Sequence, residues 1–321
     1  MRQCMNCMRC GRCIEDVREC DPKCPGIPNE KLEDYETLVP DALPLETILG
    51  GRYVVGRALS MTDYSAIYLC WDIMLRRRVA IREYFPFSCC DRGNDKVKVI
   101  IKDGKTELFN KGCNAFLEEA AALNRAQDIK GIVNIYSMFK ENATAYYVME
   151  YIEGETLQDY LDKMNMLSPI TARNYFLKLT DIVEKLHDRG ILHLNIAPVN
   201  IFIDQDDNLK LTDFGAAKVA LMREGKRTVG NLLEDGYCAP ELQMWENGSV
   251  RSDLYSIGAV YYRMLTGSKL SGSKETTLRR LKNHCSDVSA INIIRLLVVK
   301  KPVRRPENLE QLLRYANVKY R

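Results

Sequence analysis

The chain has 321 residues, of which 46% are hydrophobic and 28% are charged, and its formal net charge is +3. This size and composition are typical of a globular protein with one large core or two modest ones. The small net charge does not favour nucleic acid or a membrane surface as the partner, and we interpret the three consecutive arginines at 76–78 as a solvated hairpin.

The first 27 residues are rich in cysteine. Six of the twelve cysteines of the chain lie there: Cys4, Cys7, Cys10, Cys13, Cys20 and Cys24. The pairs Cys4/Cys7 and Cys20/Cys24 have the knuckle spacing of a zinc ribbon, in which four thiolates hold one tetrahedral ion. The other cysteines leave two alternatives open, an iron–sulfur cluster and reduced or redox-active thiols. We expect residues 1–27 to bind a metal and the proline-containing residues 28–50 to form a linker.

The next hundred residues have the pattern of a small β-rich domain. Short runs of β-branched and aromatic residues, separated by polar turns, predict strands at 53–59, 66–71, 78–83, 132–140 and 145–151. The Ala- and Leu-rich stretch at 116–126 predicts one helix among them.

The second half reads as helical. Apolar residues recur every three to four positions over 171–187, and this predicted helix stops before Gly190. The segment 252–266 is apolar on most faces, which is typical of a helix at the centre of a domain. No apolar stretch reaches the roughly 20 residues that span a bilayer. No signal peptide is visible, so we expect a cytoplasmic protein without a membrane span.

An ordered series of short motifs runs from residue 79 to residue 305. The two most specific motifs are His193-Leu194-Asn195 with Asn200, then Asp213-Phe214-Gly215. The other landmarks are Val79-Ala80-Ile81-Arg82, Glu119, Tyr147 to Tyr151, Ala239-Pro240-Glu241, Asp253 and Arg305. With these motifs in this order, the chain resembles the protein kinase superfamily, and bacterial serine/threonine kinases in particular. The two most specific motifs correspond to the catalytic-loop and metal-binding motifs of that family. The resemblance implies an α+β fold of two lobes, with a β-rich lobe at 51–151 and a helical lobe at 152–321.

The departures from the kinase pattern concern catalysis. Asn195 stands where kinases carry the Asp that accepts the proton of the substrate hydroxyl, and a carboxamide cannot act as that base. The phosphate-binding loop carries no glycine at residues 60–65, where we expect a β-turn with Tyr64 as an aromatic cap at its tip. Arg82 replaces the lysine that pairs with phosphates, so a structural ion pair with Glu119 is its expected role, with a register uncertainty of one residue.

The resemblance also implies a nucleotide site. Asp213 and Asn200 match the positions that hold Mg²⁺ in kinases, and their oxygen atoms suit that ion. A second interpretation stays open, in which Phe214 and His193 are kept because they pack between the lobes. The residues that the resemblance places around Mg-ATP are Ile67, Ala80, Arg82, Met149, Glu150, Ile152, Asn200, Phe202 and Asp213.

Other motifs of the second half imply architecture. Glu241 with Arg305 matches a buried ion pair, and Asp253 matches the residue that accepts hydrogen bonds from the catalytic-loop backbone. Leu194 replaces an arginine that binds a phosphorylated activation loop, and Thr228 is the only threonine between Gly215 and Ala239. Activation by loop phosphorylation therefore has little support.

Together these features predict a pseudokinase. It would regulate or scaffold a protein partner in signalling, with Mg-ATP binding that is weak or absent and without nucleic acid. Two alternatives stay open. One is an active serine/threonine kinase with atypical catalytic residues and a protein substrate, because loose phosphoryl transition states need little help from a base. The other is a metal or redox sensor that acts through the cysteine head.

Overall fold

The computed structural model describes the backbone of residues 5–6 and 13–14, and residues 39–214, 233–244, 246–271 and 274–316. Two short strands lie at the N-terminus, β1 (Met5–Asn6) and β2 (Cys13–Ile14), and they pair antiparallel with Asn6 opposite Cys13. The chain, including these two strands, divides into two compact units. The first comprises residues up to 124 together with 134–151, and the second comprises 125–133 and 152–321.

The first unit is built on a six-stranded antiparallel sheet. Its strands, in chain order, are β3 (Ile48–Leu49), β4 (Tyr53–Met61), β5 (Ser65–Asp72), β6 (Arg77–Tyr84), β9 (Ile135–Glu141) and β10 (Thr144–Glu150). Their order in the sheet is β3-β4-β5-β6-β10-β9. A hairpin of β7 (Cys90–Arg92) and β8 (Val99–Ile101) and helix α1 (Thr106–Arg125) complete the unit. The prediction of a β-rich unit with one helix is confirmed.

Helix α1 begins ten residues before the predicted helix. Its buried positions include Phe109, Cys113, Phe116, Ala120 and Leu123, and their spacing of three to four is that of one helical face. The sequence prediction followed the Ala- and Leu-rich segment and missed the first three turns of the helix. Those turns have polar exposed positions and contain only two of the five buried residues named above.

The second unit is mainly helical. A small sheet of β11 (Gly154–Thr156), β12 (Ile201–Asp204) and β13 (Leu209–Leu211) is antiparallel in that order. The longer helices are α2 (Leu157–Met164), α3 (Pro169–His187), α5 (Val250–Thr266), α6 (Lys274–His284), α7 (Val288–Leu297) and α8 (Leu309–Ala316), with the short α4 (Pro240–Gln243) before α5. All residues of α5 from Ser252 to Thr266 are buried, as the apolar sequence on most faces predicts.

Residues 39–49, here called the strap, pack on one face of the six-stranded sheet. Ala42 and Leu43 are buried in the apolar cluster that also contains Val55 and Tyr68 of the sheet. The strap ends in β3, which pairs with β4. The sequence analysis placed these residues in a linker, and for the strap that prediction is wrong. Its apolar residues are too few to show a helical or strand periodicity in the sequence. In the structure they pack against an apolar face of the sheet.

A buried ion pair fixes the strap to the sheet. Arg92 of β7 donates from Nη1 and Nη2 to both carboxylate oxygens of Glu83, each at 2.7 Å, and both side chains are almost fully buried. The hydroxyls of Tyr68 and Tyr146 also donate to Glu83, at 2.8 and 3.0 Å. Arg92 then donates from Nε and Nη2 to the carbonyl oxygen of Asp41 in the strap, at 3.0 and 2.8 Å. The carboxylate is thus saturated with donors, which offsets the cost of burying it.

Candidate functional site

In the second unit, the side chain of Asp253, near the start of α5, binds the backbone of the catalytic-loop motif. The Asp253 side chain is fully buried and accepts hydrogen bonds from the backbone N–H groups of His193 and Leu194, at 2.9 and 2.7 Å. His187 Nε2, at the end of α3, lies 2.8 Å from the same carboxylate. This contact confirms the predicted role of Asp253. It also holds Leu194 in a left-handed conformation, φ 60°, which a β-carbon makes costly.

Leu194 makes an apolar contact where an arginine was expected from the resemblance. A β-carbon placed on Gly248 would lie 2.5 Å from Leu194 Cδ2, so a larger residue there would displace the Leu194 side chain. Leu194 is only 8% exposed. An aliphatic side chain packed in this way offers no donor for a phosphate group. The activation segment that would carry Thr228 lies outside the described residues.

Asn195 donates a hydrogen bond to Asp213, and this contact is the central feature of the site. Its Nδ2 lies 2.9 Å from Asp213 Oδ2 and 3.2 Å from the Asp213 carbonyl oxygen. Asp213 has φ 59°, again in the left-handed region. The amide thus joins the position where the resemblance expects a base to the position where it expects a metal-binding carboxylate. An aspartate at 195 could not make this bond while both groups are ionised.

Asn200 and the ring pair complete this cluster. Asn200 Nδ2 donates to the carbonyl oxygen of Asn195 at 2.8 Å, so its Oδ1 is the side-chain atom suited to a metal ion. The rings of His193 and Phe214 stack with centroids 4.4 Å apart within the second unit. Their packing between the lobes stays a prediction. Asp213 and Asn200 lie in one cluster, and the packing and metal-binding interpretations are compatible. Gly215 lies outside the described residues.

In the first unit, Arg82 is buried in a polar and aromatic environment. Its Nη1 lies 3.3 Å from Glu119 Oε1, and this confirms the predicted ion pair and its register. Arg82 Nε donates to Ser65 Oγ at 2.9 Å, and Nη1 donates to the Tyr147 hydroxyl at 2.9 Å. The rings of Tyr64, Phe116 and Tyr147 lie within 6.0 Å of its Cζ. With 2% of the residue exposed, Arg82 works as part of the core.

The turn between β4 and β5 uses its own backbone amides. Thr62 N–H donates to the Ser65 carbonyl at 2.9 Å, and the N–H groups of Ser65 and Tyr64 donate to Thr62 Oγ1 at 3.1 and 3.4 Å. Amides engaged in this way cannot also cradle a phosphate. A tight turn at residues 62–64 joins the two strands as predicted, but the side chain of Tyr64 is buried and is not an exposed cap. The residue is 1% exposed, and its ring packs edge-on against that of Tyr84 with centroids 5.3 Å apart. Burying the aromatic surface in the core stabilises the fold more than exposing it at the turn would.

The residues predicted around the nucleotide are divided between the two units. Ala80 and Met149 are register partners on adjacent strands, and Ile67 shares their face of the sheet because side chains alternate along a strand. Glu150 ends β10, where its carboxylate accepts from Asn134 Nδ2 at 2.8 Å. Ile152 and Phe202 belong to the second unit. Their role in binding a nucleotide stays a prediction.

Glu241 and Arg305 form the predicted buried ion pair. Arg305 Nη1 and Nη2 donate to the two Glu241 oxygens at 2.7 and 2.8 Å, and Ser252 Oγ donates to the same carboxylate at 2.7 Å. Burial pushes the pKa of Glu241 upward, but the hydrogen bonds from Arg305 and Ser252 outweigh it and lower the pKa below its usual value. The pair is therefore ionised at neutral pH.

The cysteines that the structure describes with their side chains are all buried and unpaired by disulfides: Cys70, Cys89, Cys90, Cys113, Cys238 and Cys285. Burial raises the pKa of Cys90 and of Cys238 to about 12, so both are thiols at neutral pH. Among the described residues there is no group of three or more His, Cys, Asp or Glu side chains that could hold a metal ion. Cys4, Cys7, Cys20 and Cys24, the predicted zinc ligands, lie outside the described residues.

Sequence reasoning missed several polar partners in the first unit. Ser65 and Tyr147 surround Arg82, and Tyr68 and Tyr146 surround Glu83. Each lies on the same sheet face as the charge that it contacts. Period-two alternation could have assigned the faces, but the strand order that brings β5 and β10 to either side of β6 could not be read from one sequence.

Comparisons with known proteins agree with this geometry. Residues 87–315 match the protein kinase domain family. The chain is 30% identical over 276 residues to the serine/threonine-protein kinase PrkC of Bacillus subtilis, covering 82% of this chain and 40% of PrkC. It is 30% identical over 234 residues to a probable serine/threonine-protein kinase PknB of Bifidobacterium longum, covering 68% of this chain and 31% of that protein. The chain therefore spans less than half the length of these relatives.

A solved structure described as the apo form of PpkA-294 has the same fold. It aligns with a TM-score of 0.74 at 22% identity, and the alignment covers 86% of this chain and 99% of that structure. Within the part of the chain that the structure describes, no helix is both long and apolar enough to cross a bilayer.

Proposed function

Because this chain belongs to the protein kinase family, we propose that it is a pseudokinase, a kinase-fold domain that regulates or scaffolds a protein partner and transfers phosphate weakly or not at all. Kinase relatives with serine/threonine specificity support the coarser assignment. The finer proposal depends on how this chain fills the positions that carry the chemistry.

The hydrogen bond from Asn195 to Asp213 carries the proposal. An active kinase needs a carboxylate at the position of Asn195 to accept the hydroxyl proton. It also needs carboxylate oxygens at the position of Asp213 that are accessible to Mg²⁺. Here the first position is a neutral amide, and its Nδ2 donates to Asp213 Oδ2 at 2.9 Å. The Asn195 amide thus occupies one of the carboxylate oxygens that a metal ion would use. Loss of the base alone slows proton transfer by about 10²–10⁴-fold.

The phosphate-binding side supports the same conclusion. The N–H groups of Thr62, Tyr64 and Ser65 are engaged within their own turn. The Arg82 guanidinium donates to Ser65 and Tyr147 inside the first unit. Transition-state charge on a phosphoryl group is normally stabilised by such amides and by a lysine. Both sources of stabilisation are committed to structure in this chain.

The residues that remain suit a Mg-nucleotide of low affinity. Asp213 and the Oδ1 of Asn200 are hard oxygen ligands of the kind that Mg²⁺ prefers, and they lie in one cluster around Asn195. When bound, the ion would neutralise charge on phosphate oxygens. Asn195 would have to turn its amide away from Asp213 to admit it. We therefore propose that nucleotide binding, where it occurs, is weak and requires Mg²⁺.

Phosphotransfer to a serine/threonine peptide mixture tests the proposal. We expect the unmodified chain to be at least about 10²-fold slower than the double variant Asn195→Asp/Arg82→Lys, because the variant regains the base and a lysine. Asp213→Ala in the double variant should abolish the gain. Equal rates in the unmodified chain and the double variant, both lost with Asp213→Ala, would contradict the proposal and establish an active kinase with atypical residues.

Thermal unfolding with ATP tests the nucleotide part. A small rise in Tm that needs both ATP and Mg²⁺ and is lost in Asp213→Ala is expected. Val303→Ser, an exposed residue of the second unit, is the control that should keep the rise. A large rise without Mg²⁺ would overturn the proposed binding mode, whereas no rise at all would mean a scaffold without nucleotide control.

For the N-terminal cysteines we propose one structural Zn²⁺ on Cys4, Cys7, Cys20 and Cys24. The β1–β2 hairpin supports a compact head in this region, and a segment with so few apolar residues needs metal ligation for its folding energy. Metal analysis of protein purified under reducing conditions should give about one zinc per chain. Iron with labile sulfide would replace the ion by a cluster, and metal-free protein with free thiols would remove the site.

A further inference from the structure

The turn between β5 and β6 exposes three consecutive large apolar side chains. Ile73, Met74 and Leu75 are 47%, 73% and 56% exposed. Single exposed apolar residues are ordinary on a protein surface, but a run of three needs a functional reason, because it promotes association and contributes nothing to the core. The phosphotransfer site proposed above does not use this turn.

The turn is held in a fixed conformation by Asp72. Its Oδ1 accepts hydrogen bonds from the backbone N–H groups of Met74 and Leu75, both at 3.1 Å. Arg52 donates to both Asp72 oxygens at 2.8 and 2.7 Å, and the Ile73 N–H donates to the Arg52 carbonyl at 3.1 Å. The three apolar side chains are therefore presented to solvent by an ordered backbone. A partner that binds them pays little ordering entropy.

Positive charge follows the apolar tip directly. Residues 76–78 are Arg76, Arg77 and Arg78, and the sequence has no acidic residue between Asp72 and Glu83. Asp72 is itself neutralised by Arg52. Arg77 and Arg78 point to opposite faces of the sheet because side chains alternate along a strand. The Arg77 guanidinium lies 3.8 Å from the ring centroid of Tyr136, which is 39% exposed. Cationic side chains thus flank the tip on both sides.

We propose that this turn docks on the surface of an anionic lipid bilayer. The apolar tip would enter the boundary between headgroups and acyl chains, and the arginines would contact the anionic headgroups. The tip is an exposed turn at the end of two paired strands. A planar surface that yields around a projection, with negative charge at its rim, is the partner that complements this shape and charge. The net charge of only +3 for the whole chain conceals this local concentration of arginine.

Co-sedimentation of the full chain with vesicles tests the proposal. We expect the protein to pellet with vesicles of equal parts phosphatidylcholine and phosphatidylglycerol, and to remain in solution with phosphatidylcholine alone. The triple variant Ile73→Ser/Met74→Ser/Leu75→Ser should weaken this binding by at least about tenfold. Arg76→Gln should weaken it by about fivefold, and added salt should weaken it in the unmodified chain.

A matched control and a second readout make the test specific. Ile170→Ser/Val303→Ser removes two residues that are 76% and 77% exposed in the second unit and should leave vesicle binding unchanged. Tryptophan fluorescence should shift to the blue on adding the anionic vesicles to Met74→Trp, but not to Ile170→Trp. Both variants change exposed side chains, so thermal unfolding should match that of the parent.

Three results would overturn the proposal. The first is a failure of the unmodified chain to pellet with anionic vesicles. The second is binding that the triple serine variant retains in full. The third is a light-scattering mass above that of the monomer that falls in the triple variant while the vesicles capture nothing, because the turn would then bind a second copy of the chain.

Discussion

Two of the buried arginine–glutamate pairs, Arg82–Glu119 in the first unit and Arg305–Glu241 in the second, differ in how many hydrogen bonds join the two charges. Arg305 and Glu241 share two hydrogen bonds at 2.7 and 2.8 Å, and the carboxylate also accepts from Ser252. Arg82 lies 3.3 Å from Glu119 and divides its donors between that carboxylate and two hydroxyls, Ser65 and Tyr147. Both arginines are almost fully buried.

The difference shows which part of the domain has kept a kinase pattern and which has diverged. The Glu241–Arg305 pair retains the planar, two-point geometry that only arginine can supply to a carboxylate. At position 82 the resemblance expects lysine, a smaller cation with a different direction. The guanidinium found there is accommodated by hydroxyls and aromatic rings of the first unit. One pair has the geometry that the kinase resemblance implies, whereas at the other the residue in the position of the kinase lysine is packed in the core.

Breaking the Glu241–Arg305 pair should have the largest effect on stability. Glu241→Gln leaves Arg305 buried opposite a neutral amide, and we expect the free energy of unfolding to fall by about 3–5 kcal/mol. Chemical denaturation measures this change. Glu310→Gln, in the exposed pair with Arg314 on α8, is the matched control and should change stability by less than about 0.5 kcal/mol. A loss of similar size in both variants would show that burial does not distinguish the pairs.

Replacing the second arginine should have an intermediate effect. Arg82→Lys removes the planar fork that reaches Ser65 and Tyr147 together, and we expect a loss of about 1–3 kcal/mol from the hydrogen bonds left incomplete. Arg189→Lys, which alters the exposed ion pair with Asp128, should lose less than about 1 kcal/mol. Should Arg82→Lys prove as stable as the parent, the lysine of active kinases would fit this environment unchanged.

Asn195→Asp should have a smaller effect that depends on metal. The new carboxylate would face Asp213 across the 2.9 Å now bridged by a hydrogen bond. Repulsion between like charges should lower stability by about 1–2 kcal/mol without a divalent ion, and Mg²⁺ should restore it. Asn195→Ala, which adds no charge, is the control and should gain nothing from Mg²⁺ beyond the parent. Equal Mg²⁺ responses in all three proteins would contradict the proposed contact.

The smallest expected effect is the pH dependence of the stability that the Glu241–Arg305 pair contributes. The pKa of Glu241 in the folded protein is lowered overall, so its ion pair stabilises the fold above the unfolded-state pKa, about 4.3–4.5. That stability is lost as pH falls through the lower folded-state pKa. The stability difference between the parent and Glu241→Gln should therefore narrow on acidification below about pH 4. Urea unfolding at several pH values measures it, and a constant difference would contradict the ionised pair.

Much of the candidate site could be predicted from motif order. The pairing of Glu241 with Arg305, the acceptor role of Asp253 and the choice of Glu119 all agree with the structure. These contacts follow from the kinase resemblance, because the positions of the motifs fix which groups meet. The positions of five strands of the first unit also followed, to within a few residues, from runs of β-branched and aromatic residues between polar turns. The short strands β3, β7 and β8 were not predicted.

Other features depend on groups that are distant in the sequence. The strap was read as a linker because its few apolar residues have no period, yet Leu43 is fully buried and its N–H donates to the Tyr68 hydroxyl at 3.1 Å. Tyr64 was placed at a turn tip, but a neighbouring aromatic cluster buries it. Neither outcome is visible locally, since each depends on which surface happens to lie opposite.

By itself the sequence determined the kinase fold, the missing catalytic carboxylate and the identity of the ion-pair partners, because these are properties of residue type and order. Only the tertiary structure decided what the replaced residues do. It brought the Asn195 amide to Asp213, enclosed Arg82 between Ser65 and Tyr147, and fixed an apolar turn in front of three arginines. A hydrogen bond needs its two groups within about 3 Å in the right direction, and strand order, turn geometry and the packing of neighbouring elements set that distance.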